Sequence, residues 1–184
     1  MKEIELNIPI TDENNLRKLK AGDTVLLTGY MYTARDQAHK RLVDLINQNQ
    51  ELPISLKNEF IYYVGPAPAK DGYPIGPAGP TTSYRMDPYT PALIEKGLKG
   101  MVGKGTRSLE VIESIKKNKC VYLAAVGGAA ALISKSIKTC EIILYEDLKT
   151  EAIRRLKVEK FPAIVVIDSN GNNLYETEVQ KYRK

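Results

Sequence analysis

Short apolar runs alternate along the chain with segments whose apolar residues recur every three or four positions. In Lys2–Ile10, the apolar residues Ile4, Leu6 and Ile8 alternate with polar ones, which is the pattern of a half-buried strand. The same reasoning predicts further strands at Thr24–Tyr32, Phe60–Val64, Lys99–Val102, Cys120–Val126, Glu141–Tyr145, Ala163–Ile167 and, after a turn at Asn170–Gly171, Asn173–Glu176. Most of the chain is therefore organised around short strands.

Helical periodicity fills most of the intervals between these strands. Asp36 is placed to cap a helix in which Ala38, Leu42, Leu45 and Ile46 share one face. The other predicted helices are a short one that Thr11 or Asp12 caps and that ends at Leu19, Pro91–Leu98, a helix that Ser108 caps with Leu109, Ile112 and Ile115 facing inward, Ala129 to about Ser136 after Gly127–Gly128, and Leu148–Arg155. Strands that alternate with helices predict an α/β fold with a mixed sheet.

Composition narrows the class of protein. A chain of 184 residues with 43% hydrophobic residues can bury one core, and we see no repeat or linker, so residues 1–184 are predicted to form a single domain. The net charge is +5, but Lys and Arg are scattered rather than gathered into a basic stripe, which argues against nucleic-acid binding. No apolar run reaches membrane-spanning length and no signal peptide is recognised, so we expect a cytoplasmic protein without membrane contact.

The two cysteines, Cys120 and Cys140, lie far apart and have no second Cys or His nearby. That spacing suits neither a zinc site nor an iron–sulfur cluster. Buried, reduced packing is the interpretation that fits both thiols. The chain is therefore predicted to hold no metal of its own.

The first loop with candidate chemistry is the segment 32–36, where a strand ends and a helix begins. Arg35 lies there beside a predicted helix N-terminus, and both features favour an anion. Pairing of Arg35 with a nearby carboxylate on the surface is the alternative. His39, one helical turn further on, is a candidate for shuttling a proton or orienting a ligand, or else it is structural or exposed.

The second loop, segment 79–87, gathers hydroxyls and one guanidinium. Thr81, Thr82 and Ser83 supply hydrogen-bond donors and acceptors in a row. Arg85 offers a planar fork that matches a carboxylate bidentately. A capped turn before the next helix, with Asp87 or Thr90 as the cap, is the alternative interpretation.

The third loop, segment 100–107, places Lys104 between two glycines. A phosphate-binding loop would need a glycine where Leu98 stands and a hydroxyl residue where Gly105 stands, so the nucleotide interpretation fails. Lys104 still lies where a bound anion could meet it, and a solvated turn lysine is the alternative. Taken together, the three loops predict a site for a small anion.

The loop sequences YTARDQAH, GPTTSYRMDPYT and GMVGKGTRS, together with GGAAALISKSIK and KFPAIVVIDSNGN, resemble one enzyme family. They are similar to the β subunit of two-subunit class I fumarases and L-tartrate dehydratases. The same unit forms the C-terminal domain of single-chain class I fumarases. The resemblance extends from the first strand to about Asp168, and GPTT-x-x-RMDPYTP is its most specific part.

The resemblance implies a swivelling β/β/α domain that packs against a separate α subunit, in an α2β2 heteromer. The partner would hold a [4Fe-4S] cluster through three of its own cysteines, and this chain would hold none. The implied reaction is the reversible hydration of fumarate to malate, a step of the tricarboxylic acid cycle, or alternatively the dehydration of L-tartrate. The chain alone is expected to be inactive.

The resemblance also implies roles for residues in the three loops. Arg35, Arg85 and Lys104 would bind the carboxylates of a four-carbon dicarboxylate, with His39 as a further substrate-binding candidate, whereas Thr81 and, more weakly, Thr82 are candidates for the catalytic base. Two functions of other classes stay open at this point. One is a stand-alone module that binds anions such as nucleotides or phosphorylated metabolites, and the other is nucleic-acid binding.

Overall fold

The computed structural model describes residues 3–125 and 130–177, and it has the α/β fold with a mixed sheet that the sequence predicts. The strands are β1 (Glu3–Ile8), β2 (Thr24–Thr33), β3 (Phe60–Tyr62), β4 (Gly100–Gly103), β5 (Val121–Ala125), β6 (Ile137–Leu144) and β7 (Ile153–Ile167). The helices are α1 (Asn14–Arg17), α2 (Asp36–Asn47), α3 (Thr90–Glu95), α4 (Leu109–Asn118) and α5 (Ala130–Ser136), with 3₁₀ turns at Ser83–Met86 and Glu146–Glu151.

The strand pairing brings four strand ends to one edge. β1 to β5 are parallel neighbours in that order, and β7 runs antiparallel to β5 and β6. β7 also pairs with β2, from Thr24 opposite Ile164 to Thr33 opposite Arg154, so β2, β3, β4, β5 and β7 form a closed ring of pairings. The carboxyl ends of the parallel strands β2 to β5 therefore meet, and loops after such ends are where α/β proteins bind ligands.

Two hydrophobic clusters stabilise the two faces of these strands. On β3, the side chains of Phe60 and Tyr62 enter one cluster, whereas Ile61 between them enters the other, as the two-residue period of a strand requires. The second cluster also receives the apolar faces of α2, α3 and α4, including Leu42. These three helices thus cover the face that carries Ile61.

The predicted helix Leu148–Arg155 is wrong. The 3₁₀ turn Glu146–Glu151 ends there, and β7 begins at Ile153 and continues for 15 residues. Leu156 and Val158 are buried and alternate with more exposed residues, which is the period of a strand. Pairing with β2 and β6 on opposite edges thus decides the conformation over local helix propensity.

Two further predictions are wrong, and a third segment is not described by the structure. The predicted strand Asn173–Glu176 is wrong, because only an isolated bridge joins Asn173 to Ile167 and residues 174–177 are helical. Leu109 was expected to face inward but is 74% exposed. Gly127–Gly128, which the sequence places between a strand and a helix, lies outside the described residues. Within residues 3–125 and 130–177, no helix combines the length and apolar character needed to cross a bilayer.

Candidate functional site

Arg35 lies at the junction between β2 and α2. Its backbone is extended and it is the N-cap residue of α2, so Asp36, predicted as the cap, is the first helical residue instead. The Arg35 side chain packs against Gly65, just beyond β3. A Cβ atom on Gly65 would lie 2.8 Å from Arg35 Nη1 and 3.3 Å from the Thr150 carbonyl oxygen, so a larger residue at this position would displace the end of the Arg35 side chain.

The structure brings Arg35, Arg85 and Thr81 together around one carboxylate. Arg85 Nη2 donates a hydrogen bond to Thr81 Oγ1 at 2.9 Å and lies 3.4 Å from Asp36 Oδ2. The same Asp36 oxygen is 3.8 Å from Arg35 Nε. The Thr81 backbone N–H donates to the Tyr63 carbonyl beyond β3, which fixes this loop to a strand end. These four side chains, from Arg35, Asp36, Thr81 and Arg85, are the arginine cluster.

Lys104 and Thr82 are neighbours on adjoining segments. A parallel bridge joins the two residues, and the Ser83 N–H donates to the Lys104 carbonyl at 2.9 Å. The Lys104 N–H in turn donates to Ser83 Oγ at 3.1 Å. A Cβ atom on Gly103 would lie 2.0 Å from Ser83 Oγ, so glycine at the end of β4 lets the second loop dock on the third. The Lys104 side chain is exposed, and its backbone is bridged to Thr82, the residue after Thr81 of the arginine cluster.

Two buried tyrosines and a buried arginine pack against the second and third loops on the side of the core. The Tyr122 hydroxyl lies 2.9 Å from Ser83 Oγ and donates to the Gly105 carbonyl at 2.8 Å, and burial raises the pKa of this hydroxyl, which therefore stays protonated. The guanidinium of Arg107 stacks over the rings of Tyr63 and Tyr122. The second and third loops are thus tied to β5 and to the residue after β3.

Arg107 is a fully buried cation whose charge is compensated. Arg107 Nε donates to Asp87 Oδ1 at 2.7 Å, and its Nη2 donates to Thr90 Oγ1 at 2.8 Å. The other oxygen of Asp87 accepts from the Ser108 N–H at the start of α4. A buried charge is tolerated only with such partners. Asp87, offered above as a helix cap, therefore joins the second loop to the third.

His39 lies beneath the arginine cluster rather than in it. Its ring is fully buried against Tyr63, and Nδ1 lies 2.8 Å from the Arg35 carbonyl oxygen. Since a carbonyl oxygen only accepts, Nδ1 carries the hydrogen. Burial lowers the pKa of His39 to about 4, so the ring is neutral at neutral pH. In this conformation His39 holds the Arg35 backbone and its ring is shielded from solvent.

The buried ring gives stability a pH dependence. Between about pH 6.5 and about pH 4 the unfolded chain binds a proton on His39 that the folded chain does not, so stability rises with pH in this window. The lowered pKa predicts a loss of roughly 3 kcal/mol in the free energy of unfolding on acidification from neutral pH to about pH 4. Urea unfolding across this range measures it.

His39→Gln serves as the control, because glutamine keeps hydrogen-bonding capacity without titrating. The variant should lose most of the pH dependence between about pH 6.5 and about pH 4, whatever its stability at neutral pH. A slope that is the same in wild type and variant would contradict the buried, neutral state of the ring.

A groove of about 650 Å³ shares the Ser83–Met86 turn with the arginine cluster. Its lining consists of Tyr84, Asp87, Pro88, Pro91, Thr106, Arg107, Ser108 and Glu110. Arg35, Thr81 and Lys104 do not line this groove. The predicted cations therefore lie on the partly exposed surface next to a groove and not at its base.

The thiols of this chain do not fit an iron–sulfur cluster. Cys120 is fully buried, its Sγ lies 3.2 Å from the Leu98 carbonyl oxygen, and burial raises its pKa to about 12. Burial also raises the pKa of Cys140. Across the parts of the chain that the structure describes, no three His, Cys, Asp or Glu side chains are grouped as metal ligands would be.

The fold and the arginine cluster define a class of protein: an α/β domain with cations and hydroxyls at the carboxyl ends of parallel strands. The chain belongs to the Fumarase C-terminus family, whose sequence profile matches residues 1–178. The family predicted from the loop sequences is therefore confirmed.

Curated relatives differ in how much of them this chain covers. Fumarate hydratase class I, anaerobic, from Escherichia coli K12 is 38% identical over 182 residues, which are 97% of this chain and 33% of that protein. Fumarate hydratase 2 from Leishmania major is 36% identical over 94% of this chain and 31% of its own length. The putative L(+)-tartrate dehydratase subunit beta from Methanocaldococcus jannaschii is 39% identical over 92% of this chain and 89% of that protein. The chain thus spans about a third of these fumarases but most of the tartrate dehydratase subunit.

Proposed function

We propose that this chain is the substrate-binding β subunit of a two-subunit hydro-lyase that hydrates fumarate reversibly to malate. The observation that carries the proposal is the arginine cluster, in which Arg85 contacts both the Thr81 hydroxyl and Asp36. Relatives named fumarate hydratase support the reaction class. We further propose a role in the tricarboxylic acid cycle and a cytoplasmic location.

Substrate binding is assigned to the three cations. Guanidinium groups match carboxylates bidentately, and Arg35 and Arg85 share one carboxylate neighbour already, so they face a common space. Lys104 extends from the adjoining loop as a third positive charge. A four-carbon dicarboxylate carries two negative charges, which this surface attracts from all three loops.

Proton transfer next to a substrate carboxylate is assigned to Thr81. A threonine hydroxyl is a weak base in water, and its alkoxide form needs positive charge nearby. The Arg85 guanidinium provides that charge at 2.9 Å from Oγ1. Thr82 is the weaker candidate, since it is joined to Lys104 through the backbone and has no comparable side-chain contact to a guanidinium among the described residues.

The metal chemistry is assigned to a partner. A [4Fe-4S] cluster with an open iron supplies Lewis-acid activation of a substrate hydroxyl. The cysteines of this chain do not fit such a cluster, so a cluster-bearing α subunit in an α2β2 assembly would hold it. The residues of this chain would then bind the carboxylates and move the proton. The chain alone is expected to be inactive.

L-tartrate dehydration is the second candidate reaction. The length of the relative favours it, because this chain covers 89% of the putative tartrate dehydratase subunit beta and only about a third of the fumarases. Tartrate is also a four-carbon diacid, so the same cations would bind it. The two substrates differ in hydroxyl groups and not in carboxylates.

Reconstitution tests both reactions. This chain, mixed without oxygen with the cluster-bearing chain that co-purifies with it, is expected to convert fumarate to malate, and assays with L-tartrate run in parallel decide the substrate. Turnover of neither diacid by a pair whose cluster is intact would contradict the proposal. Stabilisation of the isolated chain by phosphate or nucleotides would instead support a stand-alone anion-binding module.

A further inference from the structure

One carboxylate lies between the two arginines that are assigned to the substrate. Asp36 Oδ2 is 3.4 Å from Arg85 Nη2 and 3.8 Å from Arg35 Nε. Asp36 is the first residue of α2, so its position is fixed by the helix start. Two guanidinium groups that face one space repel each other, and a shared carboxylate offsets this repulsion.

A second carboxylate approaches Arg35 alone. Glu151 Oε1 lies 3.9 Å from Arg35 Nε, at the end of the 3₁₀ turn that precedes β7. Both atoms are buried and have no hydrogen-bond partner within residues 3–125 and 130–177. Because Glu151 Oε1 and Arg35 Nε form no hydrogen bond at this distance, the attraction between their opposite charges is what holds Arg35. Leaving both buried atoms without a hydrogen bond has a cost in stability.

We infer that Asp36 and Glu151 are positioning residues for the substrate-binding arginines, with Asp36 shared by Arg35 and Arg85 and Glu151 acting on Arg35 alone. Neither carboxylate would bind a dianionic substrate, because like charges repel. Their role is to hold the two guanidinium groups at the distance and orientation in which these groups bind the substrate carboxylates. The functional part of this inference rests on the proposed hydro-lyase activity.

A double-mutant cycle on the assembled enzyme separates the two roles. Asp36→Asn is expected to lower kcat/KM for malate about 30-fold in the wild-type background but only about threefold in Arg85→Ala, where only Arg35 is left to position. Glu151→Gln is expected to cost about fivefold in both backgrounds, because it acts on Arg35 alone. A factor for Asp36→Asn that is equal in both backgrounds would overturn the shared role.

Two controls distinguish positioning from stability. Asp36→Glu keeps the charge and should recover most of the activity. Asp44→Asn removes an exposed ion pair with Lys40 on the same helix and should change kcat/KM less than twofold. Equal losses in Asp44→Asn and Asp36→Asn would assign the effect to the helix and overturn the inference.

A measurement on the isolated chain does not depend on the reaction. In NMR spectra of the arginine guanidinium groups, Asp36→Asn should shift the signals of both Arg35 and Arg85, whereas Glu151→Gln should shift only those of Arg35 and speed exchange of its Nε–H. Spectra in which Asp36→Asn leaves Arg85 unchanged would overturn the inference. An inactive wild-type pair with the expected spectra would instead refute the proposed function alone.

Discussion

Arg85→Ala is expected to lower kcat/KM of the assembled enzyme by on the order of 10³-fold. The substitution removes the proposed bidentate contact to a substrate carboxylate and also the positive charge that lies 2.9 Å from the Thr81 hydroxyl. Loss of both effects corresponds to about 4 kcal/mol of transition-state binding. Steady-state rates of malate dehydration, measured with the cluster-bearing partner in excess, test this value.

Two further variants serve as comparisons for Arg85→Ala. Arg85→Lys keeps a charge but loses the fork, so an intermediate loss of about 10- to 100-fold is expected. Arg17→Ala, which removes an exposed ion pair with Glu13 on α1, should leave the rate within twofold. Activity of Arg85→Ala within tenfold of wild type would remove the role assigned to this guanidinium.

Thr81→Val is expected to lower kcat by on the order of 10²- to 10³-fold while KM changes less than about fivefold. Valine keeps the shape of threonine but lacks the hydroxyl that accepts from Arg85. Removing a group that acts only in proton transfer lowers kcat and kcat/KM together and leaves substrate binding nearly intact. Separate determination of kcat and KM for malate measures this pattern.

The neighbouring hydroxyl provides the control for Thr81. Thr82→Val makes the same chemical change one residue further on and should cost less than tenfold, and Thr81→Ser should restore much of the rate. Equal losses in the two valine variants would show that loop structure, and not the Thr81 hydroxyl, is responsible.

Local pattern predicted the elements that surround the site. β2, β3 and β4 are apolar strands, and the loops after them begin at one edge of the sheet because these strands are parallel neighbours. Capping of α4 by Ser108 is also confirmed, since its Oγ accepts from the Val111 N–H.

Long-range contacts explain what local pattern missed. β7 begins at Ile153 because its first residues pair with β2 and β6, and no local signal records those partners. Glu151 approaches Arg35 only because β7 lies next to β2, so a residue more than a hundred positions away enters the site. Asp36 was interpreted as a helix cap, although its carboxylate faces both arginines.

Burial separates the remaining polar residues into two groups. Arg107 stands at the end of the third loop, and its side chain is fully buried and bound to Asp87. His39 is likewise buried, and its assignment as a substrate-binding residue stays a prediction for which this conformation offers no direct contact. Arg85 and Lys104 retain exposed side-chain surface for a ligand.

The central claim is that two chains form the proposed active site: this chain would position the dicarboxylate, and its partner would carry the cluster. Titration of the cluster-bearing subunit with this chain, with malate formation from fumarate as the readout, tests it most directly. Activity is predicted to be absent for either chain alone and to rise until the two chains are equimolar. Full activity of the partner without this chain, or no activity at any ratio while the cluster is intact, would contradict the claim.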